Sequence, residues 1–377
     1  MNLKQLILLL IVLAVIGSAG LILYHRNQDS WAVPEARMGD KVLPDFQPNN
    51  VAAIHIKGAL DLNLAHENDG WRERHNYPAN FHQISDVLIK LKNLKVVEAD
   101  TAEPSDLARV NLAGPGTENG GGTLVEFKNT QGQVTATLLV GKKHVHEQND
   151  SAHSFIIGGT PDGCYVLLPG DPKDVLLISD PLSSLQANPQ TWLNKDFFKA
   201  DKIRSISLAS PNAEDSWKLA REDESSSWAL ADGKPGEVLN AGRISSAANA
   251  LVSPRFVDVT VSNDPAATGL EMPKVVTIET FDHFTYMLKV GNKSPDGNYY
   301  MTVSVTAEIS AGNEAGKLRD KLKQEQALAP WIYTMSSWIL EPLVAGRSQL
   351  LANGGEASRP AGASGKSSSG WTPHVIH

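Results

Sequence analysis

Cysteine is nearly absent from this chain. Cys164 alone cannot form an internal disulfide, and its place at the head of the apolar run Cys164 to Leu168 marks a buried thiol rather than a reactive one. Basic charge is short as well: 34 Lys and Arg stand against 42 Asp and Glu, and a net charge of −8 leaves no basic face to neutralise a run of phosphates. Nucleic acid is therefore not an expected partner. Catalytic signatures are missing too. There is no Gly-x-Ser-x-Gly elbow and no His-Glu-x-x-His helix, and the carboxylates are scattered mainly through turns, where solvation is their role. His144, His146 and Glu147 have no further histidine or cysteine at ligand spacing, so they read as a solvated loop. Gly365-Lys366-Ser367 ends like a phosphate loop, but Pro360 stands where its first glycine is required. No catalytic residue, cofactor or metal is expected.

One long apolar run is present. Leu6 to Tyr24 carries no charge and, at about 1.5 Å per residue, approaches the roughly 30 Å of a hydrocarbon core. It reads as an uncleaved single-pass anchor. A cleaved signal peptide is the rival, because Gly17-Ser18-Ala19 offers small residues to a peptidase, although Leu21 to Tyr24 continue the run beyond that point. Residues 1–28 are assigned to this anchor, and the bulk of the chain is expected outside the cytoplasm, in the periplasm of an inner-membrane protein. The Pro-containing stretch 29–50 reads as a tether. From Asn353 onward Gly, Ser, Ala and Pro dominate, and residues 346–377 read as a disordered tail.

The remaining length suits two domains, expected over 51–200 and 201–345. Each is expected to be α+β, a mostly antiparallel twisted sheet with a helix on one face, because the same series of signals runs twice. In the first half, Val51 to Ile56 alternates like a strand, Glu67 to Gly70 is turn chemistry, Trp71 follows, and a Tyr77-Pro78 step opens a helix. Asn80 caps that helix, whose stripe is Phe81, Ile84, Val87, Leu88, Leu91 and Leu94, with Gln83 placed to complete a capping box. Lys95 to Ala99 is a strand, and Thr123 to Lys128 with Val134 to Val140 form a hairpin that ends at Gly141. Ser154 to Ile157 and Cys164 to Leu168 add strands.

In the second half, Ile203 to Ala209, Trp217 to Arg221, an acidic turn and Trp228 lead to Asn240, a second cap, with Ile244, Ala247, Ala248, Leu251 and Val252 as its stripe. Gly269-Leu270 takes the place of Asn111-Leu112, and a hairpin ends at Gly291. Ser184 to Ala200, with Trp192, Phe197 and Phe198, is read as the closing segment of the first copy, and Pro330 to Tyr333 with Trp338 as that of the second. Asn313 to Gln326 reads as a surface helix with only Ala315, Leu318 and Leu322 inward. Trp71 and Trp228 are expected each beneath its own helix, and Trp71, Asn80, Gly141, Trp228, Asn240 and Gly291 are the structural landmarks of a duplicated unit.

This doubled order resembles the bacterial domain-of-unknown-function 4340 family, over roughly Val51 to Val344. The resemblance implies a membrane-anchored, extracytoplasmic protein, in some members linked with ABC-type export systems like those of gliding motility, and it brings no catalytic residues. Asn111 departs from the pattern, which has glycine there. The expected function is a non-enzymatic interaction module with a protein partner in a membrane complex. The alternative is an envelope ligand-binding or hydrolytic protein, with a site between the repeats where Trp192 or Trp331 stacks a sugar or peptide.

Overall fold

The computed structural model describes residues 38–67, 69–73, 76–116, 121–145, 160–260 and 264–352. The fold is α+β, built on two antiparallel sheets, and the chain divides into two compact units between Asn194 and Lys195.

The first unit contains β1 (Ala53–Lys57), β2 (Asp61–Glu67), β3 (Gly70–Glu73), β4 (Tyr77–Pro78), α1 (Phe81–Asn93), β5 (Val96–Thr101), α2 (Pro104–Arg109), β6 (Thr123–Lys128), β7 (Val134–Val145), β8 (Pro161–Leu168), β9 (Asp171–Ile178) and α3 (Pro189–Trp192). Its strands lie in the order β4-β3-β2-β1-β6-β7-β8-β9-β5, so α1 carries the chain from one edge of the sheet to the other. The core follows from strand alternation. Ile54 pairs with Leu64 on one side and Phe127 on the other, all three fully buried, and Ile56 does the same with Leu62 and Val125. Ile84, Val87, Leu88 and Leu91 of α1 pack into the same cluster. Leu112, Leu139, Leu167 and Val175 form a separate small cluster with Leu107 of α2.

The second unit contains β10 (Ile203–Ala209), β11 (Trp217–Ala220), β12 (Ala229–Leu230), α4 (Ala241–Asn249), β13 (Phe256–Thr260), α5 (Pro265–Thr268), β14 (Lys274–Thr280), β15 (Phe284–Lys293), β16 (Tyr299–Ala307), α6 (Ala315–Gln326), β17 (Ile332–Met335), α7 (Ser337–Val344) and α8 (Arg347–Leu350). Its strand order is β12-β11-β10-β14-β15-β16-β17-β13. Here Ile206 pairs with Leu219 and Ile278, again all buried, and Leu208 with Trp217 and Val276.

Both helix caps form. The Asn80 side chain accepts from the Gln83 amide at 3.2 Å and that of Asn240 from the Arg243 amide at 3.1 Å, each contributing about 1 kcal/mol. The capping box at Asn80 is not completed, because the Asn80 amide is already donated to the carbonyl of Trp192 at 2.7 Å. The Asn240 amide is donated in the same way to Leu350 at 2.8 Å. Single bridges join Ala79 to Leu193 and Leu239 to Leu351, so each unit closes by laying its last residues beside its own helix start.

Several expectations need correction. Tyr77 and Pro78 form an edge strand on β3 and do not begin the helix, since Asn76 turns the chain through φ 63° just before them. The stretch before Val51 is not a free tether over its whole length: Val42, Leu43 and Phe46 are buried, and Gly39 and Val42 donate to Val96 and Leu94. Phe197 and Phe198 close no first copy. They stack among Phe256, Tyr333 and Tyr286 of the second unit. The second unit is closed by α8 and Leu351, not by Ile332–Tyr333, which lie in β17 between β16 and β13. Residues 347–350 are accordingly helical, with Leu350 buried, and do not belong to a disordered tail. The expected anchor at 6–24, the strand at 154–157 and the tail from 353 lie outside the described residues. Among the described residues no helix is long and apolar enough to cross a membrane.

His55 on β1 sits between two carboxylates, with Nδ1 at 3.0 Å from Glu126 and Nε2 at 2.7 Å from Asp61. The bond to Glu126, and secondarily that to Asp61, raises its pKa despite partial burial. A raised folded-state pKa stabilises fully below the unfolded value of about 6.5 and is lost as pH rises through the folded value. The urea midpoint of the first unit is therefore expected to fall as pH rises from about 6 to 8, and His55→Gln to flatten that slope. An identical slope in the variant counts against the assignment.

Candidate functional site

The clearest surface feature grows out of α1. Its core stripe takes one face, but Phe81, Ser85 and Ile89, spaced four apart, lie along the adjacent one, where Phe81 is 61% and Ile89 54% exposed. Phe81 was expected in the core. It is the first residue after the cap and lies at the mouth of a groove that Ile84 and Leu88 also line. Between this second stripe and the sheet runs an open groove of about 670 Å³. Trp71 on β3, Ile84, Leu88 and Val51 form its apolar floor. Its opposite wall is the turn Pro48–Asn50 together with the β6–β7 turn, where the Asn129 side chain holds the amides of Gln131 and Gln133 at 3.0 and 2.9 Å. None of the lining residues is Asp, Glu, Lys or Arg, so apart from the His66 imidazole the groove presents apolar side chains within a rim of amides and hydroxyls.

Trp71 stands opposite His66 in the β2–β3 ladder and meets its ring edge-on at 5.5 Å. In the second unit Ala220 stands opposite Ala229, so the next step of the ladder brings Arg221 to Trp228, and its guanidinium lies 4.9 Å from the ring centre. The two tryptophans thus hold matching ladder positions, but not matching depths. Trp71 is buried, while Trp228 is only partly so. Eight and nine residues beyond the cap, α1 carries Leu88 and Ile89 whereas the second helix segment carries Ala248 and Asn249, and the smaller, polar pair leaves Trp228 partly exposed. The corresponding hollow is only about 270 Å³ and includes Lys202 and Arg221.

The other landmarks lie apart from the groove. Gly141 is pressed against Val110 and Leu112 after α2, and Gly291 against Thr268 and Gly269 after α5. Asn111 and Gly269 both adopt left-handed backbone, φ 58° and 69°, so the asparagine that replaces the expected glycine takes the conformation glycine would.

A model of the domain of unknown function DUF4340 matches residues 71–273, more than half of the 377-residue chain. The chain belongs to the DUF4340 family. No curated protein and no solved structure matches it.

The polar clusters of this DUF4340 protein are ones that hold structure. Glu325 on α6, expected to face solvent, is 6% exposed. It accepts from Tyr286 Oη at 3.0 Å, the Lys199 amide at 2.9 Å and Lys321 Nζ at 2.5 Å, which fastens α6 to β15 and to the segment before β10. Burial, with the Glu325 carboxylate beside it, raises the Tyr286 pKa far above that of a free phenol, so the hydroxyl is a donor and not a base. Arg347 on α8 is gripped by Asp232 and Glu237, and its guanidinium holds the Glu237 carboxyl down to about 2. Burial pushes the Cys164 thiol up to about 12, well away from nucleophilic use. Among the described residues no three His, Cys, Asp or Glu side chains converge as a metal site. His144 Nδ1 meets Asp162 at 2.7 Å, and His146 and Glu147 lie outside the described residues. Trp192 is fully buried, its indole donating to Gln186, and offers no stacking face.

Proposed function

We propose that this protein is a non-enzymatic interaction module, anchored in the inner membrane by residues 6–24 and held outside the cytoplasm, whose α1 groove receives an apolar, uncharged segment of a partner in a membrane complex, such as an ABC-type transport system. One observation carries the reading: Phe81 and Ile89 stand exposed along a groove with no Asp, Glu, Lys or Arg in its lining. Burying each is worth roughly 1.5–3 kcal/mol to a partner. The same reading takes the chain as two copies of one sheet-and-helix unit. Supporting this are the parallel strand orders, the buried triads centred on Ile54 and Ile206, and the closures Asn80–Trp192 and Asn240–Leu350. On that view the first copy keeps the docking groove, and the second, with Ala241 and Asn249 where the first has Phe81 and Ile89, has lost it.

A photo-crosslinker at position 81 or 89 in the native membrane tests the proposal. Adducts to one membrane-complex subunit are expected at both positions and not at exposed Val134, and Ile89→Ser should weaken those formed from position 81, as Phe81→Ser should those from position 89, without lowering the unfolding midpoint. Equal labelling at Val134 sinks the groove. A mature N-terminus beginning after Ala19, or a reporter after Tyr333 active only in the cytoplasm, sinks the anchor or the orientation.

A further inference from the structure

We infer a second site, independent of the α1 groove, for a carboxylated sugar in the second unit. A surface groove of about 680 Å³ runs between α4 and α7, and Trp338, in the first turn of α7, stands on it 74% exposed. A tryptophan is the side chain with most to gain from burial, and here most of its surface stands free, so its flat indole face is open to a ligand. Pro342, four residues on, has no amide to donate to the Trp338 carbonyl, which leaves an acceptor beside the ring. Tyr299 forms a further aromatic wall.

Charge selects the class of ligand. Arg243 on α4 lines the groove and makes no ion pair among the described residues. Lys274 lines it as well, tied by Nζ to the Val344 carbonyl at 2.9 Å. The single lining carboxylate, Glu341, is already neutralised by Lys293 at 2.8 Å. This is a cationic groove on a chain of net charge −8. An aromatic platform stacks the apolar face of a pyranose, and a guanidinium that has its full set of donors available takes a carboxylate through two parallel bonds. A ring that carries a carboxylate satisfies both.

Calorimetric titration of the full chain in mild detergent with a galacturonic acid trisaccharide, and with the neutral galactose trisaccharide, tests the site. The acidic sugar is expected to bind at least about tenfold tighter than the neutral one. Trp338→Ala should weaken both sugars about tenfold, and Arg243→Gln should weaken the acidic sugar alone, to the level of the neutral one. Both positions are at the surface, and unchanged unfolding midpoints establish that the variants fold. Phe81→Ser with Ile89→Ser should leave binding unaltered, which separates this site from the groove on α1. Absence of binding by either sugar overturns the proposal. So does binding that survives Trp338→Ala and is displaced equally by citrate, which identifies a bare cationic patch.

Discussion

Gly291→Ala and Gly141→Ala each destabilise their own unit by about 3 kcal/mol, the upper end of the overpacking range. A Cβ on Gly291 would lie closer than 3.0 Å to the Thr268 carbonyl oxygen, and one on Gly141 closer than 3.0 Å to the Val110 carbonyl oxygen and to the Leu112 side chain. The obstacle in each case is backbone, which cannot rotate aside as a side chain would. The Val110 carbonyl is also committed, accepting from the Lys142 amide at 2.7 Å, so retreat from the new methyl breaks a hydrogen bond. Two changes at Asn111 provide the control. Asn111→Gly relieves left-handed strain but frees the unfolded chain, and should be close to neutral. Asn111→Ala keeps the strain without asparagine's tolerance of it and should cost about 1 kcal/mol. Urea unfolding monitored unit by unit gives all four values, and a Gly141→Ala midpoint equal to that of the parent would show that the strand end can move away.

Leu91→Ala and Leu251→Ala should cost roughly 2–5 kcal/mol each. The two residues sit at 0% and 1% exposure, each eleven residues beyond its cap asparagine. Leu91 packs in the cluster that contains Ile54, Phe127 and Ile84, so its loss opens a cavity at the centre of the helix–sheet contact. Leu251 continues the buried stripe of Ile244 and Ala247 just past the end of α4, and its carbonyl receives the Ala200 amide at 3.2 Å. At 1% exposure Leu251 is as deeply buried as Leu91, and the second unit should show the loss as fully as the first. A cost below about 1 kcal/mol at either position would mean that the stripe is not the seam between helix and sheet.

Local signals were legible wherever the physics is local. Asn80 and Asn240 cap because a side-chain oxygen three residues ahead of a free amide needs no distant partner. The β6–β7 hairpin follows from alternation around the Asn129 turn. The apolar period of α1 also marked Ile84, Val87, Leu88 and Leu91 as inward.

What periodicity leaves open is how far the opposing surface reaches. Phe81 falls within the apolar period of α1 and still stands exposed, on the edge of the stripe that lines the groove. Trp228 keeps the ladder position of Trp71 and loses its cover, because depth depends on the size of Ala248 across the gap. Trp338 and Glu325 exchange their expected places, the aromatic outward and the carboxylate inward, once Tyr286, Lys321 and the Lys199 amide converge on the acid. The chain by itself determined most of the elements and their caps, because these rest on hydrogen bonds and spacings within a few residues. Which faces stayed open was decided by segments distant in the chain, 126 residues for the Lys199 amide and Glu325, since burial belongs to whatever stands opposite and not to the residue alone.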